Sequence, residues 1–163
     1  SLQGDQVIKK IMTLFNVETL YDKDGIILRK KDFDCDYLEL DFKDCPDLAQ
    51  TVLVVAAFHK VKLKLYGVES LKIKDTDRLK AMSNELKKIG VNFYDDNGVW
   101  TLDKRNNEFS SEASIETYKD HRMAMAFAPL ASEINITINN PDVVNKSYPS
   151  FWEDMKKAGY DII

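Results

Sequence analysis

Residues 7–30, VIKKIMTLFNVETLYDKDGIILRK, and residues 79–104, LKAMSNELKKIGVNFYDDNGVWTLDK, carry one pattern twice. In the first, Val7, Ile8, Ile11, Leu14 and Phe15 fall on one helical face. A hairpin is expected next, Val17 to Tyr21 and Ile26 to Arg29, with Gly25 supplying the positive φ of the turn. In the second, Leu79, Met82, Leu86 and Ile89 share a face that Gly90 ends. Val91 to Tyr94 and Val99 to Leu102 then flank Asn97-Gly98.

The correspondence continues outward. DLAQTVLVVAAFHKVKLKL (47–65) lies over HRMAMAFAPLASEINITIN (121–139), an offset of about 74 residues. Pro46 to Phe58 reads as a largely buried helix. Val61, Leu63 and Leu65 alternate with Lys60, Lys62 and Lys64 on an outgoing strand with a solvated face. Asp120 to Ala128 reads as the matching helix, ended or kinked at Pro129, and Ile134, Ile136 and Ile138 as the matching strand. Asp32 to Phe42 is expected as a strand with a wet face, Arg105 to Ser114 as a polar loop. A last helix starts near Pro149 and stops at Gly159. The fold class is therefore α/β (α+β). The expected organisation is one partial domain over 1–163, with repeat units of about 1–70 and 71–140 and a C-terminal helix at 148–159.

Composition narrows the function. With 163 residues, 44% hydrophobic and 31% charged, the chain can bury a core under a polar surface. Its 23 basic against 27 acidic residues leave a net charge of −4, which argues against a broad grip on nucleic acid. The longest apolar run, Val52 to Phe58, is too short to span a membrane. Two cysteines, Cys35 and Cys45, make no disulfide framework and fit a reducing compartment. The N-terminus lacks a signal-peptide layout, and it lacks an initiating Met, so a processed chain or excised fragment is expected. Asp32, Asp34 and Asp36 open like a calcium loop, but Tyr37 and Lys43 stand where that loop needs Gly and Glu. No metal site is expected.

Two sites conflict with helix stability. The first turn of a helix carries exposed N–H groups and a partial positive charge, so cations belong elsewhere. Yet KDTDRLKAM (74–82) places Lys74 and Arg78 at a helix start, and DHRMAM (120–125) places His121 and Arg122 directly behind the cap Asp120. A bound anion would resolve the conflict, since arginine forks grip phosphate or carboxylate bidentately. Lys146, ahead of the final helix, is a third candidate cation. Surface pairing is the alternative, Arg78 with Asp75 or Asp77 and Arg122 with Asp120. Asp47 and Asp75 stand beside these cations as possible proton-transfer groups or simply as helix caps.

KDTDRLKAMSNELKKIG (74–90), YKDHRMAMAFAPLA (118–131) and PDVVNKSYPSFWEDM (141–155) together resemble the C-terminal part of the 5-enolpyruvylshikimate-3-phosphate synthases. The resemblance runs over essentially the whole chain. It implies an inside-out α/β barrel domain of βαβαββ units, with two of three units present and the N-terminal domain of the same polypeptide missing. The implied chemistry is transfer of the enolpyruvyl group of phosphoenolpyruvate to the 5-hydroxyl of shikimate 3-phosphate, releasing phosphate. This is a cytoplasmic step of aromatic amino-acid biosynthesis that needs no metal or other cofactor. By the same resemblance, Asp47 is proton acceptor and shikimate-phosphate ligand, and Lys74 a shikimate-phosphate ligand. Arg78, Arg122 and Lys146 bind phosphoenolpyruvate, and His121 supports the site. Asp75 stands where the family has a proton-donating Glu, and Ser70 where an Asn ligand is frequent. The partners implied are these anionic substrates and the missing domain, not nucleic acid or membrane. Alone, the chain is expected to be inactive. The alternatives are the related transferase acting on a UDP-aminosugar, and a non-catalytic binding or assembly module of the same fold.

Overall fold

The computed structural model describes residues 4–73, 76–104 and 108–163. The element order α-β-β-β-α-β occurs twice. The first run is α1 (Ile8–Leu14), β1 (Val17–Asp22), β2 (Gly25–Lys30), β3 (Tyr37–Asp41), α2 (Ala49–Phe58) and β4 (Lys62–Tyr66). The second is α3 (Arg78–Lys88), β5 (Phe93–Asp96), β6 (Val99–Leu102), β7 (Glu112–Ile115), α4 (His121–Phe127) and β8 (Asn135–Ile138). α5 (Phe151–Lys157) follows.

In both runs the strand before the second helix pairs in parallel with the strand after it, β3 with β4 and β7 with β8. A parallel pair requires a crossover, and α2 and α4 supply it. The two runs are joined by one antiparallel pairing. β6 lies along the free edge of β4, with Leu63 opposite Leu102 and Leu65 opposite Trp100, giving a four-stranded sheet in the order β3-β4-β6-β5.

β4 shows why this seam holds. Leu63 and Leu65 are fully buried, while Lys62 and Tyr66 of the same strand are exposed and Lys64 is half-buried. The buried face packs on α2, where Ala49, Val52, Leu53, Ala56 and Ala57 are all inaccessible. α2 is apolar nearly all round, as a helix enclosed by its neighbours must be. Leu79, Met82 and Leu86 of α3 and Met123 and Phe127 of α4 complete the core. α4 stops at Phe127, and the chain continues as a 3-10 turn through Pro129 over Ala128–Ser132. Beyond it, Ala124, Ala128, Val144 and Phe151 form a small second cluster that seats α5.

Four local expectations need correction. Tyr37, not Asp32, begins β3, because its parallel partner becomes available only at Lys62, whose N–H donates to the Asp36 carbonyl. Within the expected loop, Arg105 to Asn107 lie outside the described residues, and Glu112–Ile115 is a strand held by pairing to β8. Leu14 is exposed, since Ile11 and Phe15, one turn apart, define the buried line of α1. Gly25 is not the turn corner: Asp22 pairs with Gly25, so the corner is Lys23-Asp24 and Gly25 is extended strand. The second hairpin does use its glycine, with Asn97 at φ 54° and Gly98 at φ 91°, as a two-residue turn of the primed kind demands.

The two hairpins sit in different surroundings. On β6, Thr101 and Leu102 are buried. On β2 every residue is exposed, with Ile26 62% and Leu28 68% accessible. Among the described residues β2 pairs only with β1, and β8 only with β7.

Gly67 follows β4 with φ 68°, and a Cβ there would overlap the Lys43 backbone and the Asp41 carboxylate. Gly90 has φ 80° but open space around it. Gly67→Ala is therefore expected to cost about 2–4 kcal/mol, strain plus overpacking. Gly90→Ala should cost only about 1 kcal/mol. Urea denaturation of the two variants measures the difference.

Candidate active site

Three helix starts converge on one point. Pro46 opens a 3-10 turn, Pro46–Leu48, that runs into α2 and carries Asp47 in its first turn. Asp47 caps nothing with its side chain. Its carboxylate instead lies between two guanidinium groups. Arg78 Nη1 donates to Asp47 Oδ1 at 2.7 Å, and Arg122 Nη2 to Asp47 Oδ2 at 3.0 Å. Arg122 Nη1 also donates to the Asp47 carbonyl at 3.1 Å.

Asp120 completes the group. It is the N-cap of α4, with Oδ1 accepting from the Arg122 N–H at 2.9 Å. Its Oδ2 accepts from Arg78 Nε at 2.7 Å. Gln50, one turn after Asp47 on α2, is buried and turns its amide nitrogen toward Asp120 Oδ2 at 3.5 Å and Met123 Sδ at 3.2 Å. Its Oε1 is buried with no hydrogen-bond partner among the described residues.

Among the described residues, the arginine side chains at the helix starts are thus paired with acids from distant parts of the chain. Arg78 pairs with Asp47 and Asp120 rather than with Asp77, which caps α3 by accepting from the Lys80 N–H at 3.1 Å. The Arg122 side chain pairs with Asp47, while its backbone takes the Asp120 cap. Among the described residues, two carboxylates thus face two guanidiniums at these helix starts.

The segment carrying Asp120 is tightly tied. Tyr118 and Lys119 have φ of 53° and 58°, left-handed values that non-glycine residues adopt at a cost. Thr76 Oγ1 donates to the Tyr118 carbonyl at 3.0 Å, linking the approach to α3 with the approach to α4. The Tyr118 hydroxyl donates to Glu85 Oε1 at 2.8 Å, and the Glu116 N–H donates to Glu85 Oε2 at 3.0 Å. Thr117 Oγ1 donates to the Asn139 carbonyl at 2.9 Å. Glu85 itself is buried on α3 and paired with Lys88 at 2.6 Å.

The other candidate residues are placed as follows. His121, the first residue of α4, stands 3.8 Å from Asp120 through Nδ1. Burial pushes its imidazole below 6.5, and Arg122 and Arg78 beside it push the same way against Asp120 and Asp47. Lys146 lies exposed in the turn after the 3-10 segment Pro141–Val144, which packs on α4. Among the described residues it makes no ion pair. Ser70 is exposed in the 3-10 turn Glu69–Ile73. Lys74 and Asp75 lie outside the described residues. Asp120 and Gln50 are the members the sequence reading missed as site residues. The cap position of Asp120 was legible, but its second bond is to an arginine 42 positions away. Gln50 was visible only as the one amide in an apolar helix.

Comparison with known proteins decides the family. The family model described as EPSP synthase (3-phosphoshikimate 1-carboxyvinyltransferase) matches residues 1–155. The chain belongs to the EPSP synthase family. A 3-phosphoshikimate 1-carboxyvinyltransferase of Bacteroides fragilis is 43% identical over 99% of this chain, and that of Buchnera aphidicola subsp. Baizongia pistaciae 38% identical over 96%. The chain spans 40% and 36% of the length of these two relatives. The solved EPSP synthase of Acinetobacter baumannii superposes with a TM-score of 0.77 at 23% identity, over 96% of this chain and 38% of that one. The mixed α/β architecture expected from the repeat is therefore the EPSP synthase fold. No helix among the described residues is long and apolar enough to cross a membrane.

Two outcomes check this geometry. His121 followed by NMR should titrate below 6.5, and Arg122→Ala should move it upward by removing a neighbouring cation. A downward movement would contradict the placement. Asp120→Asn leaves Arg78 without its buried partner and is expected to cost about 3 kcal/mol in urea denaturation.

Proposed function

We propose that this chain is the portion of an EPSP synthase that supplies the cationic wall and the proton acceptor of the active site. The reaction is transfer of the enolpyruvyl group of phosphoenolpyruvate to the 5-hydroxyl of shikimate 3-phosphate. It is a cytoplasmic step of aromatic amino-acid biosynthesis. The observation that carries the reading is the meeting of Arg78, Arg122 and Asp47 from three separate helix starts.

In this reading Arg78 and Arg122 hold the anionic groups of phosphoenolpyruvate, with Lys146 reaching in from its exposed turn. Lys74 contacts shikimate 3-phosphate. Asp75 delivers a proton to the methylene carbon, which leaves the adjacent carbon electron-poor. The 5-hydroxyl oxygen bonds to that carbon while Asp47 takes its proton. The tetrahedral product then loses phosphate while a methyl proton returns to the Asp75 carboxylate, restoring the carbon–carbon double bond. His121, neutral at pH 7, supports the phosphoenolpyruvate side by hydrogen bonding without adding charge. Pre-positioned donors of this kind stabilise charge where it develops.

The remainder of a longer polypeptide provides the rest of the site. Its docking points are the two incomplete sheets. β6 buries its residues because an outgoing strand, β4, covers its edge. By the same rule β2 takes an outgoing strand from a further unit, and β8 takes the second hairpin strand of that unit. Covering β2 removes Ile26 and Leu28 from water, a gain that scales with the apolar area buried.

The test is phosphate release from phosphoenolpyruvate and shikimate 3-phosphate. A full-length polypeptide carrying this sequence should turn over, and the 163-residue chain alone should not, because half a site loses the alignment of its two reactants. Arg122→Ala in the full-length enzyme should raise the KM for phosphoenolpyruvate about tenfold or more, the scale of losing one charge-assisted bidentate contact. An unchanged KM would remove Arg122 from the site.

A further inference from the structure

The arginine pair already holds a carboxylate, and that carboxylate belongs to Asp47. Both oxygens are engaged, Oδ1 by Arg78 and Oδ2 by Arg122, and the backbone carbonyl of the same residue takes a second Arg122 donor. Among the described residues, an incoming anion meets Arg78 and Arg122 already paired with Asp47 and Asp120. The two acids are not equivalent, however. Asp120 is 8% exposed, caps α4, and keeps Arg78 Nε on an oxygen that Gln50 also faces. The Asp47 side chain is 32% exposed and caps nothing. Arg78 therefore has one permanent partner and one at the solvent side.

We infer that Asp47 is a displaceable counter-ion. It occupies the guanidinium faces that an anionic ligand needs, and the ligand binds by taking its place while Asp120 keeps Arg78 in position. This inference rests on the proposed function for the role of the freed group: an Asp47 released from both arginines is available to accept a proton only once the anion is in place. Anion binding and exposure of the acceptor become one event. An acceptor freed only by the arrival of one reactant is kept from acting until that reactant is bound.

Inorganic phosphate is the probe, titrated into the 163-residue chain at constant ionic strength. Arg78 and Arg122 Nε–H resonances and side-chain carboxyl carbons are followed by NMR. In the unsubstituted chain, the Asp47 carboxyl signal should move in step with both arginines while that of Asp120 stays. In Asp47→Asn, which keeps the shape and removes the charge, phosphate should bind at least tenfold more tightly. Asp47→Ser should behave the same way if the Asn variant is poorly folded. Equal or weaker phosphate binding in these variants overturns the inference. So does an Asp47 signal that stays fixed while the arginines respond, a measurement that needs no variant. The result is separable from the enzymatic reading. A full-length enzyme that turns over while Asp47→Asn gains no phosphate affinity leaves the function standing and removes the displacement. A gain in affinity without turnover in the full-length enzyme does the reverse.

Discussion

Arg78 is the point on which the arrangement depends. One guanidinium reaches an acid on the turn before α2 and an acid at the start of α4, from the first residue of α3. Three helix starts are thereby tied together. A planar fork presents Nε and Nη1 in fixed relative directions to the two acids, which an ammonium on a flexible stem does not. The apolar core beneath sets how close the helices come; the charged group sets how they are turned. Burying such a cluster brings little net stability, since desolvation offsets much of the attraction. Its value lies in the geometry it imposes on Asp47 and Arg122.

The fold was largely legible because periodicity reports burial directly. Leu63 and Leu65 alternating with lysines gave β4, and Leu79, Met82 and Leu86 gave α3. What failed were elements whose existence depends on a partner. β7 has four residues and two apolar side chains, and it becomes a strand only because β8 lies beside it. The segment before Tyr37 alternates well enough, yet among the described residues no strand pairs with it. The Leu14 side chain was misplaced for a related reason, as a seven-residue helix has room for one buried line only.

The site was legible to a lesser degree, and for a different reason. Arg78 and Arg122 stood out because they oppose the helix dipole, a conflict visible in sequence. Their partners did not. Asp47 and Asp120 are 31 and 42 positions from Arg78, and local pairing with Asp77 was equally consistent with the residue order. The conflict therefore singled out the two arginines while leaving open what neutralises them. Among the described residues, the acids that pair with them come from distant positions.

The strapped segment ahead of α4 has a consequence for how the molecule would loosen. Tyr118 and Lys119 hold unfavourable backbone angles that persist only while Thr76, Glu85 and Asn139 restrain them. Such a segment is a wound spring with three catches. Loss of any one catch would slacken the turn that leads into Asp120, so side chains remote from the arginines help keep the charge cluster in order.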